Sequence, residues 1–242
     1  MIPLLSGLFI QYPKRPLADS FPFWGEEGSG KKMRWKILEF SMFSGDELIP
    51  RLSELYRTID STYGAAVHQV GFSCGGCDGV KCCTVDLTLH TFIEMLYLRR
   101  GFKTLESSIQ LDILHRCRQI VKDKHDDPWG DAYRSAVCAV NFGGLCSLYE
   151  YRPMICRLAG VPHFFARPDG STTQSEGCSR YETEIRSNHP ELLMDRTQFY
   201  RGMASIELEI VRARGNRAQS RTVAETLVEE NLEGWSPDFQ VG

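Results

Sequence analysis

Four cysteines within ten residues constrain this chain more than any other feature of its sequence. Cys74, Cys77, Cys82 and Cys83 lie in a glycine-rich stretch, residues 71–84, that has neither a helical nor a strand period. A CxxC loop lets two sulfurs turn to one point, and its glycines let backbone N–H groups approach those sulfurs. We therefore expect a metal-binding loop whose shape comes from ligation. Adjacent cysteines in extended backbone point in opposite directions, so Cys82 and Cys83 are expected to serve different metal atoms or different edges of one cluster.

A second group of cysteines, Cys138, Cys146, Cys156 and Cys178, completes a set of eight. Its spacings are too long for a compact zinc finger, so two sites of four thiolates and one cluster with spare thiols both fit the count. Small buried hydrophobic residues are the alternative interpretation, but that role does not explain four cysteines close together beside glycines. The ninth, Cys117, falls on the apolar stripe of a predicted helix, and we expect it in the core.

Composition limits the class of protein and its partners. With 242 residues, 42% of them hydrophobic, the chain can fill a core without crosslinks. Its net charge of −3 includes no basic block, which predicts no nucleic-acid partner. The apolar opening, residues 1–10, lacks the features of a signal peptide and is too short to span a bilayer, so we expect no membrane insertion and a cytoplasmic location. In a reducing compartment, clustered cysteines are more often ligands than disulfides.

Hydrophobic periodicity predicts a mainly α fold with low strand content, in which helices pack around irregular cysteine-rich loops. We divide the chain into an irregular N-terminal arm (1–45), a helical cysteine-cluster metal-binding domain (46–185) and a C-terminal helical segment (186–242) that closes the body or docks a partner. The predicted helices span residues 46–61, 88–100, 105–122, 190–214 and 222–232, with Thr88 as the N-cap of the second.

The cysteine pattern resembles the CxxCxxCC family of zinc- or iron-chelating proteins, also called YkgJ-like. That family pairs a CxxC and CC loop with a distal run containing Cys-x-hydrophobic-Tyr, Arg-Pro-x-x-Cys-Arg and a last cysteine. Here the match covers about residues 71–180, and its most specific part is the run from Cys146 to Arg157. The chain departs from the pattern in two places, since four residues separate Cys77 from Cys82 and Ala139 replaces a usual proline.

The resemblance implies a metal or cluster as the bound cofactor. Relatives that methylate flagellin lysines resemble iron–sulfur proteins, which favours a [4Fe–4S] cluster with a redox or cluster-assisted catalytic role, and a protein partner or protein substrate fits the same picture. A zinc site, or mononuclear or dinuclear iron, in a structural module without catalysis is the alternative. A thiol-based metal-delivery protein would instead need Cys82 and Cys83 accessible. Arg152 and Arg157, which flank Pro153, are candidates to donate hydrogen bonds to a cluster or to backbone carbonyls. The alternative is that both are ordinary solvent-exposed arginines.

Three weaker signals favour ordinary structural roles. The Gly25–Lys32 stretch nearly matches a phosphate-binding loop, but Lys32 stands where Ser or Thr is needed and no strand leads into it. His163 has the residue type to replace a sulfur ligand, although a loop histidine near the surface is the simpler interpretation. The run from His125 to Asp127 fits a helix end better than a metal corner. No hydrolase or dinucleotide motif appears, so any catalysis would take place at the metal.

Overall fold

The structure is a computed structural model, and it describes residues 47–73, 83, 90–214 and 220–229. Within these ranges the chain is mainly helical, as the periodicity predicts. The helices are α1 (Leu48–Gln69), α2 (Phe92–Phe102), α3 (Ser107–Asp126), α4 (Asp131–Arg134), α5 (Met154–Arg157), α6 (Ser179–Glu184), α7 (Thr197–Arg214) and α8 (Val223–Val228), with a 3₁₀ turn at Tyr149–Tyr151. The strands are β1 (Asn141–Phe142), β2 (Leu145–Cys146), β3 (His163–Ala166), β4 (Thr172–Ser175) and β5 (Met194–Asp195). None of the described helices has the length and apolar character needed to cross a membrane.

Two hydrophobic cores meet at α2. The first core is formed mainly by α1, the start of α2 and α7, and it contains Leu52, Ile59, Ile93, Phe199 and Ile206. The second core lies between α3, α8 and the later part of α2, and it contains Leu98, Ile113, Cys117, Leu148 and Leu227. Both cores follow from the apolar stripes of the helices, which have to be removed from water. The predicted burial of Cys117 is confirmed, since none of its surface is exposed.

The predicted start of α2 was wrong by four residues. The helix begins at Phe92, and its N-cap is Thr91 rather than Thr88, which lies outside the described residues. Thr91 and Glu94 form a capping box, in which the Glu94 carboxylate accepts the Thr91 backbone N–H at 2.9 Å. The sequence Thr-Phe-Ile-Glu carries this signal, because Thr followed three residues later by Glu is the pattern of a capping box.

The predicted helix over residues 190–214 was wrong for its first seven residues. α7 begins at Thr197, and Met194 and Asp195 form β5, which pairs in parallel with β3. β3 also pairs with β4 as an antiparallel hairpin, giving a small sheet in the order β4-β3-β5. β5 forms because it pairs with a strand 31 residues earlier, in the register His163↔Met194, and local periodicity does not report such a contact.

The other helices differ from prediction at their ends. α1 continues to Gln69, eight residues past the predicted end, and α3 continues to Asp126. The last predicted helix started at Thr222, which is the N-cap of α8, but α8 ends at Val228. The predicted N-terminal arm lies outside the described residues.

Two helical glycines offer a matched test of packing. A Cβ on Gly101 in α2 would overlap the ring of Tyr151 in the 3₁₀ turn, whereas a Cβ on Gly64 in α1 would meet no atom within 4 Å. We predict that Gly101→Ala lowers the free energy of unfolding by about 1 to 3 kcal/mol through overpacking. Gly64→Ala should instead raise it by up to about 1 kcal/mol, the usual gain in helix propensity. Chemical denaturation measures both, and equal effects of the two substitutions would contradict this packing.

Candidate metal centre

A tight hairpin presents two of the predicted ligands. β1 and β2 are joined by Gly143 and Gly144, whose φ angles of 60° and 86° are the left-handed values that a two-residue turn requires. The register pairs Asn141 with Cys146, and the Asn141 N–H bonds the Cys138 carbonyl at 2.9 Å. Cys138 and Cys146 are thereby held on one short piece of ordered backbone.

Helix α3 anchors this hairpin from its other side. The Arg116 side chain donates a hydrogen bond of 3.0 Å to the Asn141 carbonyl. Its guanidinium also lies 4.1 Å from the centre of the Phe142 ring, a cation–π contact. Hairpins of this size are marginal alone, so their position depends on such tertiary contacts.

Cys83 reaches the same place from the first cysteine group. Its carbonyl accepts a hydrogen bond of 2.6 Å from the Cys138 N–H. Cys74, Cys77 and Cys82 lie outside the described residues, so Cys83 alone represents the CxxC and CC loop here. The contact joins segments 55 residues apart in the chain, and neither the spacing nor the periodicity of the sequence predicts it.

The thiols of Cys83, Cys138, Cys146 and Cys156 interact electrostatically, and we call them the thiol group. Burial raises the pKa of Cys156 well above its usual range, and the other three thiols raise it further. Burial likewise raises the pKa of Cys138 to about 12, with further contributions from Cys146 and Cys83. Because each thiolate would repel the next, Cys138, Cys146 and Cys156 stay protonated at neutral pH unless a cation compensates the charge.

Backbone amides lower the cost of ionising two members of the thiol group. The Val140 N–H acts on Cys138 and the Leu148 N–H acts on Cys146, in each case two residues after the cysteine, and each lowers the thiol pKa against the effect of burial. Amide hydrogen bonds to sulfur are a common feature of metal-bound thiolates. Arg152 adds a positive charge that also lowers the pKa of Cys146.

Cys178, the last predicted ligand, has a different setting. It is the N-cap of α6, and its sulfur accepts the Tyr181 N–H at 3.4 Å. Its own N–H bonds the Gly160 carbonyl at 2.8 Å, and its side chain packs against the first core. Cys178 is not among the groups that shift the pKa of Cys138, Cys146 or Cys156.

Arg157 and Arg152 are held by the protein rather than displayed on its surface. The Arg157 side chain is only 3% exposed, pairs with Asp60 of α1, and lies 4.0 Å from the centre of the Tyr56 ring. It donates hydrogen bonds to the carbonyls of Glu150 and Arg152. Arg152 pairs with the same Asp60 at 3.4 Å. The two arginines therefore fix the backbone that leads into Pro153, and Arg152 also places a positive charge near Cys146.

Hydrogen bonds hold every carbonyl of the loop that follows Cys156 and Arg157. The Arg196 side chain donates to the carbonyls of Leu158 and Val161, and the Tyr63 hydroxyl donates to the carbonyl of Ala159. The backbone N–H groups of Cys178 and Met194 donate to the carbonyls of Gly160 and Pro162. Arg196 is 1% exposed, and burial lowers its pKa to about 10. This loop is an ordered connection between the thiol group and Cys178.

Two buried ionisable residues, Glu94 and His90, were not among the predicted site residues. Glu94 is 4% exposed, and its carboxylate accepts hydrogen bonds from Tyr56, Met154 and Thr91. His90 is 1% exposed, and neither of its ring nitrogens has a hydrogen-bond partner in the described part of the chain. For Glu94, the Thr-x-x-Glu pattern was an available signal, whereas His90 had none.

The remaining candidates have ordinary environments. His163 lies half-buried in β3, where its Nδ1 is 3.4 Å from the Val161 carbonyl and burial lowers its pKa to about 4. The His125 side chain is 90% exposed at the end of α3. Across residues 47–73, 83, 90–214 and 220–229, no three His, Cys, Asp or Glu side chains are arranged as a ready metal-binding group. The nearly P-loop stretch at Gly25 lies outside these ranges.

Comparison with known proteins found no matching family model, no matching curated protein and no matching solved structure. The resemblance to the CxxCxxCC family therefore rests on the cysteine, arginine and proline positions quoted above.

His90 makes a testable contribution to stability in acid. Burial lowers its pKa from 6.5 to about 4, so the folded protein keeps the ring neutral where the unfolded chain protonates it. The contribution of His90 to the free energy of unfolding should be fully present above about pH 6.5. It should be lost as the pH drops toward 4, which lowers the free energy of unfolding by up to about 3 kcal/mol. His90→Phe should flatten the dependence of the unfolding free energy on pH between 4 and 6.5.

The control for His90 is the exposed His115 of α3. His115→Gln should leave the slope in this pH range unchanged, and denaturant titrations at pH 4.5, 5.5 and 6.5 measure it. An unchanged slope in His90→Phe would show that His90 is not a buried neutral group.

Proposed function

We propose that this chain is a metal-binding protein that holds an iron–sulfur cluster, a [4Fe–4S] cluster, through its clustered cysteines. The observation that carries the proposal is the meeting of separate cysteine segments: the Cys138 N–H donates to the Cys83 carbonyl at 2.6 Å, and the β1–β2 hairpin holds Cys146 on the same piece of backbone. Cys156, from a third segment, interacts electrostatically with all three of these half-buried cysteines. Free thiols gain little from such mutual proximity, because ionising any one of them raises the cost of ionising the next. A metal reverses this balance, since it binds several thiolates at once.

Some of the proposed ligands lie in the described part of the chain, and the others are proposed from the sequence alone. Cys83, Cys138, Cys146 and Cys156 supply thiolates from the thiol group, and Cys74, Cys77 and Cys82 follow from the sequence pattern. Cys178 belongs to the family pattern, but its position as the N-cap of α6 supports a structural role at least as well. The donor chemistry fits iron–sulfur clusters and zinc, because both are bound by cysteine thiolates.

When a cluster is bound, it supplies one-electron redox chemistry. The protein contributes burial, the amide N–H groups at Cys138 and Cys146, and the positive charge of Arg152. These features favour the thiolate forms of the cysteines, and hydrogen bonds and solvent exposure tune the potential of such centres. A reducing cytoplasm is the compartment we propose, since the six described cysteines are all free thiols.

A closed zinc or iron site in a structural module is the second candidate. The limited exposure of Cys138 and Cys156 fits it, because closed sites have no need for an open position or access from solvent. The raised pKa values of these two cysteines argue against thiol exchange, since reactive cysteines have low pKa values. Anaerobic purification separates the two metal-binding candidates: brown protein with broad visible absorption and bound iron supports the cluster, and colourless protein with stoichiometric zinc supports the module.

Substitution of single cysteines tests the thiol group directly. Cys138→Ser and Cys156→Ser should lose most of the metal bound per chain and much of the soluble yield, because a lost ligand removes binding free energy that also stabilises the fold. Inductively coupled plasma analysis of anaerobically purified protein measures the metal content.

Cys117→Ser is the matched control. Cys117 is fully buried, and both burial and the neighbouring Cys138 raise its pKa, to about 12. It nevertheless belongs to the apolar face of α3 and packs in the second core. It should keep the wild-type metal content despite some loss of stability. Equal metal loss in all three variants, or no metal in the wild-type protein, would contradict the proposed function.

A further inference from the structure

Helix α5 carries Cys156 but is too short to be stable by itself. It has four residues, spanned by hydrogen bonds of 3.1 Å from the Arg157 N–H to the Pro153 carbonyl and from the Leu158 N–H to the Met154 carbonyl. Isolated helices of this length do not form in water. The position of the Cys156 thiol therefore depends on groups outside α5.

Glu94 of α2 is the group that bonds the first turn of α5. Its Oε1 accepts the Met154 N–H at 2.7 Å, and the same oxygen accepts the Tyr56 hydroxyl of α1 at 3.1 Å. Its Oε2 accepts the Thr91 N–H at 2.9 Å and the Thr91 hydroxyl at 2.8 Å. One buried carboxylate thus joins α1, α2 and α5, and its charge is offset by four donors.

We propose that Glu94 is the positioning residue for Cys156 in the metal centre, because its hydrogen bond to Met154 fixes the first turn of α5. This inference rests on the proposed function, since it assigns Cys156 as a ligand. The carboxylate acts on Cys156 through Met154 and the backbone. Its own charge opposes ionisation of the thiol: after burial and the neighbouring thiols, Glu94 adds to the raised pKa of Cys156. Its contribution to binding is therefore geometric.

Glu207 of α7 provides a matched control. It is also a largely buried carboxylate at the start of α2, where it accepts the Ile93 N–H at 2.9 Å, and burial raises its pKa. Its hydrogen-bond partners in the described part of the chain lie in residues 91–93, and none of them belongs to α5. Loss of Glu207 should weaken the same helix end without releasing Cys156.

The experiment compares Glu94→Ala, Glu94→Gln and Glu207→Ala in the full chain. Reduced, metal-free protein is titrated anaerobically with Co²⁺, whose visible spectrum reports how many thiolates bind it, and the metal is then extracted with a chelator. We expect Glu94→Ala to show the spectrum of a centre with one fewer thiolate and at least tenfold faster extraction than Glu207→Ala. Cys156 should also become alkylated in the Co²⁺-loaded Glu94→Ala protein while it stays protected in Glu207→Ala.

Glu94→Gln keeps the length of the side chain and one acceptor oxygen for Met154, so it should restore the wild-type Co²⁺ spectrum and most of the slow extraction. If Glu94→Ala does not fold, Glu94→Asp takes its place: it keeps the charge but is one methylene too short to reach Met154, so its extraction should be several times faster than that of Glu207→Asp. Identical spectra, extraction rates and Cys156 protection in the Glu94 and Glu207 variants would overturn the positioning role. Absence of Co²⁺, Zn²⁺ and iron binding in wild-type protein would instead remove the proposed function itself.

Discussion

The Glu94 carboxylate is buried where α1, α2 and α5 meet, and four hydrogen bonds from three residues converge on it. A buried carboxylate without donors would cost several kcal/mol, whereas one that is fully hydrogen-bonded makes the surrounding geometry specific. The side chain caps α2, receives the Tyr56 hydroxyl and holds the first residue of α5. The hydrophobic cores determine that these helices pack, and this carboxylate determines where the cysteine-bearing turn lies relative to them.

Buried charged side chains also bond the backbone before and after α5. Arg157 is buried against the Tyr56 ring and joins Asp60 to two backbone carbonyls, and Arg196 bonds the Leu158 carbonyl at the end of the helix. Short irregular backbone leaves many polar groups without partners in a helix or sheet, and these have to be satisfied when they are buried. Here the side chains of Tyr63, Glu94, Arg157 and Arg196 satisfy them, so the cysteine segments are ordered without long secondary-structure elements of their own.

Much of the helical framework could be predicted from the sequence, because its apolar stripes are long and periodic. The stripe of α3 placed Cys117 in the core correctly, and the stripe of α1 identified that helix although not its full length. The errors arose where distant contacts decide the structure. β5 exists because Met194 pairs with His163, and Arg157 is buried because Asp60 and Tyr56 receive it. Local hydrophobic periodicity predicts neither of these contacts.

The candidate site shows the same division. The cysteine pattern selected the residues of the thiol group, but only the fold brings Cys83 to Cys138 and separates Cys178 into the cap of α6. The start of α2 was a different case, since the Thr91 and Glu94 capping box was present in the sequence and outweighs Thr88. Glu94 could thus be identified as a cap from local sequence, whereas its bond to Met154, 60 residues later, could not.

In our proposal, sulfur atoms distant in the chain bind one inorganic centre. X-ray absorption at the metal edge of anaerobically purified protein tests this, because the method counts and identifies the atoms bound to the metal. We predict that these atoms are sulfurs at about 2.3 Å, the usual metal–thiolate distance for zinc, with an additional iron–iron distance if the centre is a cluster. A first shell of nitrogen and oxygen, or protein that carries no metal, would contradict it.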